Sequence, residues 1–142
     1  MPVRALMFAL ACVATPAVAE LRLPYDDAEA VALGKVVYDD HCAACHGADL
    51  EGEADWRRRD AEGYMPAPPH DETGHTWHHA DVLLFDLTKR GPEAIIGGGY
   101  RSRMPGYDGV LSDAEILAVL GYIKSTWPEE IIELHNGIND RQ

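Results

Sequence analysis

The pentapeptide Cys-Ala-Ala-Cys-His at residues 42–46 constrains this chain more than any other feature of its sequence. It places two thiols three residues apart and follows the second one directly with an imidazole. From residue 20 onward the chain has one phenylalanine and three tryptophans, so the apolar core that it can build by itself is modest. A large apolar group held by this pentapeptide would help such a chain to fold.

Cys-x-x-Cys-His is the attachment signature of a c-type haem. The thiols of Cys42 and Cys45 would add to the haem vinyl groups, and His46 would bind the iron as its proximal ligand. A redox-active dithiol is the alternative, but it calls for a thioredoxin-like βαβ pattern that the flanking sequence lacks. We therefore predict one haem c, attached covalently through Cys42 and Cys45.

Residues 1–19 have the pattern of a cleaved secretory signal peptide. Arg4 supplies positive charge, an apolar run follows it, and residues 17–19 form an A-x-A cleavage site. The alternatives are an uncleaved anchor, for which a run of about 15 residues is short, and a lipoprotein site at Cys12. We expect residues 20–142 to form a single mature domain in the periplasm, without an integral membrane segment.

The expected mature chain is strongly acidic. The sequence has 12 basic and 24 acidic residues, and of these only Arg4 precedes residue 20. Such a balance argues against nucleic acid and anionic membranes as partners. It suits a soluble monomer that meets basic patches on redox protein partners by electrostatic steering.

Helical patterns precede and follow a long irregular segment. Residues 26–41 carry an apolar stripe at 3,4 spacing and an acidic first turn, and they run straight into the pentapeptide. Residues 47–80 contain repeated glycines and prolines, which predict mostly loop. Residues 80–90 predict a second helix, for which Gly91-Pro92 is the stop signal.

The C-terminal part of the chain predicts two further helices. Residues 112–115, Ser-Asp-Ala-Glu, form a capping box that opens a helix reaching to about Trp127. Pro128 then marks the first turn of a short terminal helix. No segment shows the alternation of a β-strand, so the pattern favours an all-α fold.

A haem iron with one histidine ligand takes a sixth ligand or stays open for chemistry. Met65 and Met104 are the methionines after residue 20, and each is followed by a proline that favours extended backbone. Met65 follows His46 so closely that it would need a tight loop to reach the opposite face. Met104 comes after a helix that could form the far wall of a pocket, so we predict Met104 as the second axial ligand.

These residues together resemble the class I, mono-haem cytochromes c of bacteria. The resemblance covers the whole expected mature chain and is carried by Gly34-x-x-x-Tyr38-x-x-x-Cys42-x-x-Cys45-His46-Gly47, Met104-Pro105, Leu111-Ser112-Asp113-Ala114-Glu115 and Gly121-Tyr122-Ile123-Lys124. It implies three to five helices around one covalently bound haem with His/Met ligation. It also implies one-electron transfer between Fe(III) and Fe(II), in a carrier that is not an enzyme.

Two finer expectations come from the same resemblance. The first and last helices of the family cross near a glycine, which would account for Gly34 and place Tyr38 and Tyr122 at the crossing. A proline after the haem motif usually offers its carbonyl to the proximal imidazole. Pro66, Pro68 and Pro69 could each do so here.

A histidine-rich segment departs from the minimal family pattern. It comprises His70, His75, His78 and His79, and the last three would share one face of a helix. These side chains could pack structurally or contact the haem, bind copper as a second metal, or replace Met104 at the iron. The alternative functions are therefore a copper-handling cytochrome, or a peroxidase-like or gas-binding haem protein with a labile sixth site.

Overall fold

The computed structural model describes residues 20–142, so the predicted signal peptide at residues 1–19 lies outside the described residues. The helices are α1 (Ala28–His41), α2 (Ala43–His46), α3 (Asp81–Arg90), α4 (Pro92–Ile96), α5 (Asp113–Ser125) and α6 (Glu129–Asn139), with a 3₁₀ turn at Thr76–His78. Within this described part the chain forms no β-strand, and Asp108 and Leu111 make an isolated bridge. The predicted all-α class is confirmed.

The first residues of helices α1 and α5 are set by capping side chains. The Asp27 carboxylate accepts hydrogen bonds from the backbone N–H groups of Glu29 and Ala30 at 2.9 and 3.2 Å, so α1 starts two residues later than predicted. Ser112 and Glu115 form the predicted capping box at the start of α5. This helix ends at Ser125, slightly short of Trp127.

The described residues contain six α-helices, one more than the largest number expected. The haem motif forms a turn of its own, α2, and Pro92 opens the short helix α4 directly after Gly91. Gly91 ends α3 as predicted, with φ of 83°. Proline is favoured at the first position of a helix. Pro92 therefore begins α4 directly after Gly91 has ended α3. The terminal helix α6 is eleven residues long, longer than the short helix expected.

The central contact of the fold is the crossing of α1 and α5. A Cβ atom at Gly34 would overlap the backbone carbonyl oxygen of Ala118, so only glycine allows this approach. The rings of Tyr38 and Tyr122 lie next to each other, with centroids 5.5 Å apart. The predicted close crossing at Gly34 is therefore present, although its second helix, α5, is followed by α6 and is not the last helix.

The apolar core lies around this crossing. α5 contributes four of its eleven buried side chains, more than any other helix. The cluster comprises Leu23, Val37, Tyr38, Leu50, Leu84, Leu111, Ile116, Val119, Leu120, Ile123 and Trp127. Among the helices of residues 20–142, none is both long enough and apolar enough to cross a membrane.

Candidate functional site

The haem motif continues directly from the last turn of α1. The backbone N–H of Cys42 donates to the Tyr38 carbonyl at 2.9 Å, and that of His46 donates to the Cys42 carbonyl at 2.9 Å. The two thiols and the imidazole therefore occupy one helical turn. The Cys42 side chain is half-buried and that of Cys45 is exposed. Burial raises the pKa of the Cys42 thiol to about 11.

His46 is fixed in a single tautomer. Its side chain is buried, and its Nδ1 lies 2.8 Å from the Pro68 carbonyl oxygen, which can only accept a hydrogen bond. Nδ1 therefore carries the proton and Nε2 is the nitrogen left for a metal. Burial lowers the pKa of His46, which keeps the imidazole neutral as a metal ligand must be. Of the three candidate prolines, the structure selects Pro68.

The long loop reaches His46 because its glycines permit close backbone contacts. Gly52 has a φ of 68°, and its N–H donates to the His46 carbonyl at 2.8 Å. Cβ atoms at Gly52 and Gly74 would overlap the backbone of Pro69. On the other side, the Tyr38 hydroxyl donates to the Gly47 carbonyl at 2.9 Å. These contacts hold residues 47–80 against the motif and place the Pro68 carbonyl at the imidazole.

His70 packs against the predicted proximal ligand, a role that the sequence pattern did not reveal. Its ring stacks on the His46 ring with centroids 4.0 Å apart, and its Nδ1 lies 2.8 Å from the Thr76 hydroxyl. The Trp127 indole N–H donates to the His70 carbonyl at 2.7 Å. Burial and the nearby His46 lower the pKa of His70, so its ring is neutral at neutral pH.

The loop that contains Met104 is joined to the end of α1. The Tyr107 hydroxyl donates to the His41 carbonyl at 2.8 Å, and the two rings meet edge to face. Met104 is half-buried and its N–H donates to the Ser102 hydroxyl at 3.0 Å. Met65 is also half-buried, in the loop before Pro68. The role of Met104 as an iron ligand therefore stays a prediction.

The histidine-rich segment does not form the three-histidine face that the spacing suggested. His75 and His79 flank the 3₁₀ turn instead of lying within a helix, and their rings are 5.3 Å apart. His78 packs against Trp77, whose indole N–H donates to the Glu72 carbonyl at 3.2 Å. No group of three or more His, Cys, Asp or Glu side chains suited to a metal ion occurs in residues 20–142. The structure does not support the alternative of a copper site at these histidines.

The residues at the motif fit a covalently attached haem. Two thiols lie on one turn with a buried, neutral imidazole whose Nδ1 is already occupied, within an all-α scaffold. This combination defines a haem-binding protein of the c type. The chain belongs to the cytochrome c family, whose model matches residues 31–127. This family is one of electron-transfer haem proteins.

A curated relative gives the same family. Over 97 residues the chain is 32% identical to the Cbb3-type cytochrome c oxidase subunit CcoP of Azospirillum brasilense. The match covers 68% of this chain but 28% of that protein, so the chain corresponds to a minor part of the relative. No solved structure matches the chain.

Proposed function

We propose that this protein is a periplasmic one-electron carrier with one haem c. The haem is attached through Cys42 and Cys45 and ligated by His46 and Met104. The observation that carries the proposal is the hydrogen bond from His46 Nδ1 to the Pro68 carbonyl, at 2.8 Å. A histidine held in this tautomer keeps Nε2 unprotonated and oriented as a ligand, which is the role of the proximal imidazole.

The residues around the motif have separate tasks in this proposal. When bound, the haem iron supplies a reversible one-electron change between Fe(III) and Fe(II). His46 stays neutral and fixed by Pro68, while the buried ring of Tyr38 keeps water from the base of the motif. A thioether ligand from Met104 raises the reduction potential relative to a second imidazole.

The partners of such a carrier are redox proteins. The relative is named as a subunit of a cytochrome c oxidase, which supports electron exchange with proteins of a respiratory type. Because the chain matches a minor part of that subunit, we transfer electron carriage and not oxidase activity. The proposal gives the chain no substrate to convert, so it is a carrier and not an enzyme in its own right. Export to the periplasm rests on the signal-peptide pattern of residues 1–19.

The identity of the sixth ligand is the sharpest test of this function. We expect the ferric holoprotein to show the weak long-wavelength charge-transfer band of a methionine–iron bond. Met104→Ala should abolish this band because it removes the thioether. Met65→Ala is the matched control, since it removes the other methionine of the described chain, and it should leave the band unchanged.

Other spectra would contradict the proposal in distinct ways. A high-spin ferric spectrum in the wild type would mean an open sixth site and favour peroxidase-like or gas-binding chemistry. A low-spin spectrum without the band would indicate a second histidine ligand. If Met65→Ala loses the band and Met104→Ala keeps it, the ligand is Met65 and not Met104.

A further inference from the structure

Two loops far apart in sequence carry five of the basic residues of this acidic chain. The loops are residues 55–64 and 100–104, here called the arginine face, and the basic residues are Arg57, Arg58, Arg59, Arg101 and Arg103. All five are exposed. Three carboxylates accompany them, whereas the rest of residues 20–142 carries six basic and 21 acidic side chains. The local charge is therefore opposite in sign to that of the whole molecule.

Side-chain contacts join the two loops into one surface. Arg103 forms ion pairs with Asp60 and with Glu62, the latter at 2.7 Å. Arg101 donates to the Glu62 carbonyl at 3.0 Å. The guanidinium groups of Arg101 and Arg103 lie 4.1 and 4.2 Å from the centre of the Tyr64 ring. These contacts hold the two loops together as one continuous surface.

Four of the five guanidinium groups on this surface form no ion pair with a carboxylate of the described residues. Elsewhere in the described chain, three of the six basic side chains form an ion pair with a carboxylate, those of Arg22, Lys35 and Lys89. On the arginine face only Arg103 has such a partner within residues 20–142. The other four guanidinium groups lie beyond 4.0 Å from any carboxylate oxygen of the described residues. These charges are available to an external anionic group.

The chemistry of the face suits the surface of an acidic protein. The Arg57 guanidinium lies 4.2 Å from the centre of the Trp56 ring, and Tyr64 and Tyr100 lie beside further arginines. Arginine, tyrosine and tryptophan are the residues enriched at binding hot spots between proteins. A guanidinium also matches a carboxylate with two parallel hydrogen bonds. An anionic membrane would be repelled by the strongly acidic remainder of the molecule.

The face also adjoins Met104, the predicted second axial ligand. Met104 follows Arg103 directly, and the same loop contacts the end of α1 through Tyr107 and His41, next to Cys42. We propose that the arginine face docks an acidic surface of a redox protein partner. This inference rests on the proposed electron-carrier function and specifies its partner. Net charge alone predicts the opposite, a basic patch on the partner.

Voltammetry on charged monolayers separates the two expectations. The holoprotein is placed on gold electrodes coated with carboxylate-terminated or amine-terminated alkanethiols, in about 0.1 M salt, where the screening length is about 10 Å. At this screening length, charges close to the electrode determine binding more than the distant acidic side of the protein does. We expect electron exchange on the carboxylate monolayer, and its loss at about 1 M salt, where the length is about 3 Å.

A pair of double variants tests whether the arginine face is responsible. Arg57→Gln/Arg58→Gln leaves the contacts of Arg101 and Arg103 intact and should abolish exchange on the carboxylate monolayer. Arg22→Gln/Arg141→Gln removes the same net charge near the C-terminus and should retain it. Equal responses from the two variants, or a silent wild type on this monolayer, would overturn the docking proposal.

Two further measurements assign a failure to its cause. A potentiometric titration in solution tests the carrier function without any surface. If the titration shows a reversible one-electron change but the carboxylate electrode gives no signal, only the docking proposal is wrong. If the titration shows no reversible one-electron change, the proposed function itself is wrong. If the wild type co-sediments with phosphatidylglycerol vesicles and the Arg57→Gln/Arg58→Gln variant does not, the arginine face binds lipid. That result would overturn the proposal of a protein partner.

Discussion

A single buried histidine at the C-terminal helix connects distant parts of the chain. The His135 side chain is fully buried, and its Nε2 donates to the His79 carbonyl at 2.9 Å, while its Nδ1 has no partner among the described residues. The Asp81 carboxylate, 3.4 Å from Nε2, accepts a hydrogen bond from the backbone N–H of Leu23. Burial lowers the pKa of His135 and the charge of Lys124 lowers it further, against the opposing effect of Asp81. His135 is therefore neutral at neutral pH.

This residue should make stability depend on pH. Unfolded histidine binds a proton below about pH 6.5, whereas folded His135 resists it, so the unfolded state gains more protons as the pH falls. The contribution is complete above about pH 6.5 and is lost progressively below it. We expect His135→Gln, whose amide can still donate to His79, to flatten the pH dependence of the unfolding free energy. The change is at most about 1.4 kcal/mol per pH unit, the value for one proton.

Denaturant titrations of the holoprotein between pH 7 and pH 5 would measure this effect. His78→Gln is the matched control, because it removes an exposed imidazole that packs on Trp77 at the surface. If His135→Gln and the wild type show the same slope, His135 is not the group that resists protonation.

At the scale of elements, the crossing of α1 and α5 depends on the absence of one side chain. Gly34→Ala would place a methyl group on the Ala118 carbonyl, and the helices would have to separate. We expect a loss of about 1–3 kcal/mol in the free energy of unfolding, the usual range for an overpacked core. Chemical denaturation of the holoprotein would measure it.

Helix α6 offers the control for this substitution. A Cβ atom at Gly137 would meet nothing nearer than the Arg141 guanidinium at 3.6 Å, which is ordinary contact. Gly137→Ala should therefore stabilise the protein by about 0.5–1 kcal/mol, because alanine loses less backbone entropy in a helix. A stabilising effect at both positions would show that the crossing tolerates a Cβ atom at residue 34.

On the scale of the whole molecule, export and haem attachment should leave one covalent product. The proposal predicts a mature chain that starts at Glu20 and carries one haem on Cys42 and Cys45. Denaturing mass spectrometry of protein exported to the periplasm should give the mass of residues 20–142 plus one haem. A mass that includes residues 1–19 would contradict cleavage, and haem lost on denaturation would contradict covalent attachment.

The charge of the whole molecule is also uneven in a way that its net value conceals. The arginine face gathers almost half of the basic residues after position 20 beside the Met104 loop, and the remaining surface is acidic. A carrier must exchange electrons with a donor and an acceptor, and two surfaces of opposite charge would serve partners of different kinds.

Several local features of the fold could be predicted because their causes lie within a few residues. The capping box at Ser112 sets the start of α5, and Gly91 ends α3 through its positive φ. The start of α4 at Pro92 is not predicted, because a proline after a glycine also signals the end of the preceding helix. The resemblance to a known family added the α1–α5 crossing, which no local pattern could reveal.

The sequence by itself determined the haem motif and the all-α class. It also supplied the glycine at position 34 that the α1–α5 crossing requires. The spacing of Cys42, Cys45 and His46 acts within one helical turn, so no tertiary contact is needed to bring these groups together. A methionine candidate could also be named from the chain alone, although its bond to iron stays a prediction.

Only the tertiary structure decided which groups from distant segments meet. Pro68 serves His46 because Gly52 and Gly74 let the long loop pack against its own backbone. His70 stacks on His46, and the histidine-rich segment forms a 3₁₀ turn in place of a metal-binding face. Arg59 and Arg101 belong to one surface although 42 positions separate them. Such contacts depend on the path of the whole chain, and sequence spacing carries little information about it.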